Sequence, residues 1–351
     1  MEIKLKIEKE IGNLLDSNRE FRAKELLVKF PKHKPLVAYT IKSLLGRAEI
    51  LKIGSTRGAY YVPNTDKNRA ALSHAVSRWE RAYENGNLSE ADVYDDAVKA
   101  LPRLGLLHEN IRSIFDYGFS EMVNNAIDHS ESPTIRTMVE ITDGKLHFEV
   151  HDDGIGAFEN VMRKRDLENS YEAALDVLKG KTTTVPDRHS GEGIFFTSKS
   201  GDRFILESQG LELLVDNLIP DTFLEAVTPR KGTRVSFEIA LNSDRHLDRD
   251  VFRPYSMSVE EPAFDKTQVH VKLYRYGTAQ ISRSQARRLL TGLDKFKVIT
   301  LDFERVPSIG QGFADEVFRV FQKRHSDIRF EYLNANDAVR FMIERAKNNQ
   351  L

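Results

Sequence analysis

The chain has 351 residues, too many for one ordinary core, and its 40% apolar and 30% charged content is that of a globular protein able to build several. It contains no cysteine, which excludes disulfides and every thiolate metal or redox site, and no run approaches the ~20 apolar residues of a membrane span. The net charge of −1 conceals an asymmetry, since residues 1–65 carry 13 Lys and Arg against 7 Asp and Glu, a surplus suited to phosphates.

The opening MEIKLKIEKEIG alternates charged and apolar residues and lacks the apolar core of a signal peptide, so a cytoplasmic location is expected. Leu5, Ile7, Ile11, Leu14 and Leu15 predict a first helix, interrupted at Ser17-Asn18. A second spans Ala23–Phe30, and a third begins at Pro35, buries Leu36, Val37, Ile41, Leu44 and Leu45, and ends near Gly46. Two β-runs follow, Glu49–Ile53 and Ala59–Val62, joined by a flexible segment with Arg57 at its tip. Three helices and a hairpin resemble a winged helix-turn-helix, a family whose third helix enters the DNA major groove. That resemblance makes residues 1–65 a candidate duplex-DNA or protein-binding module, with Lys34, Tyr39, Thr40, Lys42 and Ser43 on the exposed side of the helix.

Residues 66–104, with the single Trp79, read as a helical connector. The next helix, about Glu109–His129, places Glu121 and Asn125 four residues apart on one face, with Asp128 a turn beyond. An Asn carbonyl oxygen can ligate Mg²⁺, while a Glu one turn earlier orients or deprotonates a nucleophile. Alternating runs Thr134–Ile141 and Lys145–His151 then form a hairpin delivering Asp152-Asp153-Gly154-Ile155-Gly156. A carboxylate at a strand end can accept the adenine amino proton, and glycines let backbone pass close to the base. His189-Ser190-Gly191-Glu192-Gly193 opens a short helical segment, a geometry that aims N–H groups at phosphate oxygens. The intervening stretch to Arg188, rich in Lys, Arg and Thr, suits a mobile lid, and Thr233 follows Gly232 into a later strand.

Helix with Glu-x-x-x-Asn, Asp-x-Gly-x-Gly, lid, Gly-x-Gly and Gly-Thr, in that order over residues 105–241, resemble the GHKL ATPases of gyrase, Hsp90, histidine kinases and MutL. The resemblance implies ATP and Mg²⁺ as ligands, helices on a mixed, largely antiparallel sheet, Glu121 as catalytic base, Asn125 as metal ligand and Asp152 as adenine contact. It further implies Gly154, Gly156, Gly191 and Gly193 along the nucleotide, with Asp128, Ser190, Glu192 and Thr233 beside them. Lys179, Lys181 and Arg188 are candidates to reach phosphates, against ordinary solvated charge. His108-Glu109 faintly resembles a histidine-kinase phospho-acceptor segment, but it lies only 13 residues before Glu121, not on a separate upstream domain.

From 269 onward strands Val269–Tyr274, Thr278–Ile281, Lys297–Phe303 and Ile328–Leu333 alternate with helices Ser284–Leu293, Gly312–Arg324 and Asp337–Lys347, and Ser282 with Gln285 makes a capping box. VITLDFERVPSIGQGFADEVF resembles the core of STAS domains, which implies an α/β domain over 266–351, a regulatory protein partner, and a phospho-acceptor at Gln311 or Gly312, where neither residue can be phosphorylated; Ser308 lies nearby. The expected class is α/β (α+β), multidomain. The expected function is an ATP-dependent regulatory switch with weak ATPase activity, the alternative being an anti-sigma-like serine/threonine kinase, with no membrane association and possible homodimers.

Overall fold

The computed structural model describes residues 2–18, 20–53, 60–66, 68–69, 77–142, 144–181, 191–258, 263–274 and 281–348. Its three sheets each carry a separate hydrophobic core, the multidomain α+β organisation expected from the sequence.

The N-terminal core lies among helices α1 (Glu2–Asn18), α2 (Ala23–Lys29) and α3 (Lys34–Gly46). A small sheet closes it, formed by β1 (Phe21–Arg22), β2 (Ile50–Ile53) and β3 (Tyr60–Pro63) with β3 central. Ile7, Ile11, Leu26, Val37, Ile41 and Leu44 fill it, so the helical periodicity is realised as packing. On α3, Lys34, Tyr39 and Lys42 are exposed and Ser43 half-buried. Thr40 corrects the expectation, because it faces inward, fully buried, and satisfies its hydroxyl by donating to the Leu36 carbonyl (2.8 Å). The Arg57 tip lies outside the described residues.

The central sheet has seven strands in the order β4-β5-β6-β10-β7-β8-β9. They are β4 (Arg78–Glu84), β5 (Thr134–Thr142), β6 (Lys145–Asp152), β7 (Arg203–Ser208), β8 (Leu211–Asp216), β9 (Asp221–Ala226) and β10 (Thr233–Ala240). Hairpins join β5 to β6 and β7 to β8, and β10 inserts between the pairs, so the sheet expected to be mixed has antiparallel ladders throughout. Residues 78–84, read as connector helix, instead form edge strand β4. Trp79, Ala82 and Tyr83 have a helix-like i, i+3, i+4 spacing, but Trp79 and Tyr83 also suit a strand, where they are half-buried two pleats apart.

One face of the sheet is covered by α4 (Glu90–Ala100) and α5 (Glu109–His129), whose Phe115 and Phe119 meet Phe148 and Phe237 from the strands. Three short helices complete the layer: α6 (Ala157–Arg165), α7 (Ser170–Lys179) and α8 (Gly193–Ser200). The segment expected to be a lid thus contains two helices, while 182–190 lie outside the described residues.

The C-terminal unit has a parallel sheet in the order β11 (Lys266–His270), β12 (Val298–Asp302), β13 (Arg329–Leu333). Around it lie α9 (Arg283–Leu290), α10 (311–324, with a π-helical stretch Glu316–Phe321) and α11 (Asp337–Asn348). The Ser282–Gln285 capping box forms as expected. Strand β11 stops at His270 and continues as a 3₁₀ turn through Tyr274; residues 275–280 lie outside the described set, and Ile281 makes an isolated parallel bridge to Ile309.

Candidate functional site

Helix α5 carries the two polar residues that matter most. Helix α8 crosses it so closely that a Cβ on Gly118 would stand 3.2 Å from Thr197 Cγ2, and a Cβ on Gly193 would enter the Glu121 carboxylate. Gly193 is the first residue of α8, so Glu121 lies against that helix's N-terminus, where unsatisfied N–H groups and the helix dipole favour an anion. Gly191, at φ +74°, turns the chain into it. One turn along α5, Asn125 is half-buried, and its Nδ2 is a solvent-shielded amide nitrogen with no hydrogen-bond partner among the described residues. An orphaned amide of this kind is normally explained by a partner the protein itself does not supply.

The turn after β6 is fastened to the end of α5 and the start of β10. Asp152 Oδ1 accepts from the N–H of Gly154 (2.9 Å) and of Thr233 (3.3 Å). Ile155 N–H donates to the Ser130 carbonyl (2.8 Å), and Ala157 N–H donates to Thr233 Oγ1 (2.9 Å). Asp152 is 4% exposed, and burial pushes its carboxyl above the usual range despite those donors. Gly156 has φ +87°, and a Cβ there would stand 2.6 Å from Ser208 Oγ. Gly154 is tighter still, because its Cβ would collide with the Ser130 carbonyl. Gly154→Ala is therefore expected to destabilise the central domain by about 1–3 kcal/mol through overpacking, more than Gly86→Ala, where a Cβ meets nothing within 4 Å and φ is not positive; thermal melts compare the two.

The structure thus sets Glu121 against Gly193 of α8 and ties Asp152, Gly154, Gly156 and Thr233 into a turn at the end of α5, with Asn125 on that helix between the two groups. Glu192 N-caps α8 beside them. Asp128 is exposed at the end of α5, and Ser190 lies outside the described residues. Two participants were not anticipated. Tyr117 sits one turn before Glu121, and burial, then the charges of Glu121 and Glu192, push its phenol far above the ordinary range; the four-residue spacing 117, 121, 125 was the available signal. Gln209 donates from Nε2 to the Ile155 carbonyl (2.8 Å), across the sheet and beyond any local pattern.

The lid lysines are placed differently from the expectation. Lys179 is 4% exposed and donates to the carbonyls of Arg288 and Thr291 (2.9 Å each) at the end of α9, with Asp176 Oδ1 at 3.4 Å. Lys181 donates to the Lys295 carbonyl (3.1 Å) and lies over the rings of Phe264 and Phe296. Both serve the contact with the C-terminal unit, because α7 packs there. That contact is extensive: Tyr171 donates to the Leu273 carbonyl (2.7 Å), Thr267 to that of Lys179 (2.7 Å), and buried Asp221 of β9 pairs with Lys272 and Arg305. Leu175 of α7 and Phe195 and Phe196 of α8 belong to the C-terminal unit's core.

Residues 285–340, from α9 into α11, match a family described as a STAS-like domain of unknown function (DUF4325). The chain therefore carries a C-terminal STAS-like domain, compatible with regulatory docking. No curated protein matches the chain. No described helix is long and apolar enough to cross a membrane, and no three His, Cys, Asp or Glu among the described residues could jointly hold a metal ion.

Proposed function

We propose that the protein is a Mg-ATP-dependent regulatory switch of the GHKL type, in which nucleotide held between α5, α8 and the β6 turn sets how the lid helix α7 grips the STAS-like domain. The observation that carries this reading is the close approach of Glu121 to the glycine that opens α8, with Asn125 one turn further along the same helix and the buried Asp152 turn fastened to that helix's end. The residues fit the ligands. Gly191, at φ +74°, turns the chain into the N-terminus of α8, whose N–H groups favour phosphate oxygens, and Asn125 Nδ2 is an amide donor with no partner among the described residues. With no three-ligand cluster among the described residues, Mg²⁺ would arrive on the triphosphate and take Asn125 Oδ1 as its protein ligand. Bound there, the ion would neutralise phosphate charge. Glu121 orients the attacking hydroxyl or water and accepts its proton, and Asp152 accepts a hydrogen bond from the adenine amino group.

The switch has a route in both directions. Helices α7 and α8 contribute to the STAS-like core, so any lid movement driven by ATP moves that contact, as differential binding requires. At its other end α5 meets the N-terminal module: β2 packs on the 3₁₀ turn Pro102–Leu106, and Lys52 lies close enough to Arg112 and Asp116 to feel their charges. We read residues 1–65 as a winged helix binding duplex DNA through Lys34, Tyr39 and Lys42, with affinity falling steeply as salt rises. Indifference of this module to DNA at low salt removes that part.

Titration calorimetry with Mg²⁺ and a non-hydrolysable ATP analogue tests the root of the proposal, and absence of binding to the folded protein refutes it. Binding should also depend on pH. Burial raises the Asp152 pKa, and only the carboxylate accepts from adenine, so affinity is expected to fall as pH drops through that raised value and to be full above it; an affinity that climbs on acidification contradicts the role of Asp152. A kinase acting on another protein uses the same residues. With γ-labelled ATP, label in free phosphate favours the switch and label in a partner hydroxyl favours the kinase.

A further inference from the structure

A partly open cavity of about 540 Å³ is lined by α7, the outer strands β8 and β9, and α9 of the STAS-like domain. Its volume falls inside the roughly 300–1,000 Å³ of small-molecule sites, and domain interfaces are where such sites concentrate. None of Glu121, Asn125, Asp152, Gly193 or Thr233 lines it, so it is separate from the nucleotide site.

Its chemistry is specific. The walls are mixed, apolar from Leu167, Leu175, Leu211 and Leu224 and polar from Asn169, Ser170, Gln285 and Thr291. The charges that line it are ion-paired: Arg288 pairs with Glu168 (3.0 Å) and Glu172 (2.9 Å), and buried Asp176 lies between Lys179 (3.4 Å) and Arg165 (3.6 Å). An ionic ligand would have to break one of those pairs. Tyr274 is the exception to this satisfaction. It lines the cavity at 5% exposure, and its hydroxyl has no hydrogen-bond partner among the described residues. Burial, then the nearby Asp176 and Tyr171, hold the phenol protonated, so it has a proton to donate and nothing to receive it.

We propose that this cavity binds an uncharged small molecule with both apolar and polar groups, presenting one carbonyl or hydroxyl oxygen to Tyr274. Such a ligand would touch lid helix and STAS-like helix at once, and so would bias the contact between them. The inference stands on the cavity and its unpaired hydroxyl, and does not require that ATP binds.

The test uses the full-length protein without nucleotide and the uncharged naphthyl ketone prodan, whose emission reports both apolar burial and hydrogen bonding to its carbonyl. Saturable binding with one site per chain is expected. Ala226 is exposed at the cavity rim, so Ala226→Trp can obstruct the space without disturbing the core, and it should weaken binding at least 10-fold while leaving the thermal melt unchanged. Tyr274→Phe keeps the ring and should weaken binding about 2- to 10-fold, the net worth of one hydrogen bond, with a further blue shift of the bound dye. Phe341→Ser, at an exposed phenylalanine on α11 away from the cavity, should change nothing. The proposal is overturned if binding is not saturable, if Ala226→Trp leaves it intact, or if Phe341→Ser removes it. Displacement by Mg-ATP combined with indifference to Ala226→Trp would put the dye in the nucleotide site and overturn it equally.

Discussion

A Glu121→Gln protein is expected to bind Mg-ATP within about threefold of the native affinity while consuming it roughly 10²–10³ times more slowly, the usual worth of a positioned general base. The argument rests on shape as much as charge. Glu121 lies so close to the first residue of α8 that a side chain there would displace its carboxylate, and glutamine keeps the same volume against Gly193. Binding contacts at Asn125, Asp152 and the two glycine turns are untouched, so ground-state affinity has no reason to change by much. The lost capacity is the acceptance of a proton, which an amide cannot do. Single-turnover measurements with γ-labelled ATP, paired with calorimetry, separate the two quantities. A variant that hydrolyses or transfers normally would move the base elsewhere, and one that fails to bind would make Glu121 a packing residue of the α5–α8 crossing.

Much of this geometry was legible because it is local. The β5–β6 hairpin carries its own alternation and turn, so Asp152 could be assigned to a strand end before any fold was known. Glu121 and Asn125 share a helix face by spacing alone. What escaped the sequence was long-range. Strand β4 has too little apolar material to announce itself and exists because β5 offers it a ladder. Thr40 looked polar and outward, but its hydroxyl finds a partner one turn back inside its own helix, so the residue can be buried at little cost. Lys179 and Lys181 read as lid cations, solvated or reaching phosphates. Their actual partners, the carbonyls of Arg288, Thr291 and Lys295, lie more than a hundred residues further along the chain, and backbone acceptors leave no trace in side-chain composition.

That relocation has the second large consequence. Lys179→Met should cost about 3–5 kcal/mol, the penalty for removing one partner from a buried charged network, and the loss should be confined to the contact between α7 and the STAS-like domain. The ammonium does two jobs in the structure. It answers the carbonyls at the C-terminal end of α9, where a helix has acceptors to spare and a dipole that favours a cation, and it lies beside the buried Asp176. Methionine fills a similar volume but leaves those carbonyls unanswered and takes a cation from beside Asp176, where Arg165 is 3.6 Å away. The N-terminal module and the α5–sheet core do not touch Lys179, so hydrogen exchange should remain native there and rise in α7, α9 and the Leu289–Leu290 region. Proteolysis between α7 and α8 should accelerate in step. If exchange instead rises uniformly, the contact is part of one cooperative unit and the STAS-like domain cannot loosen without unfolding the rest. In that case the lid would have no independent motion for a nucleotide to govern.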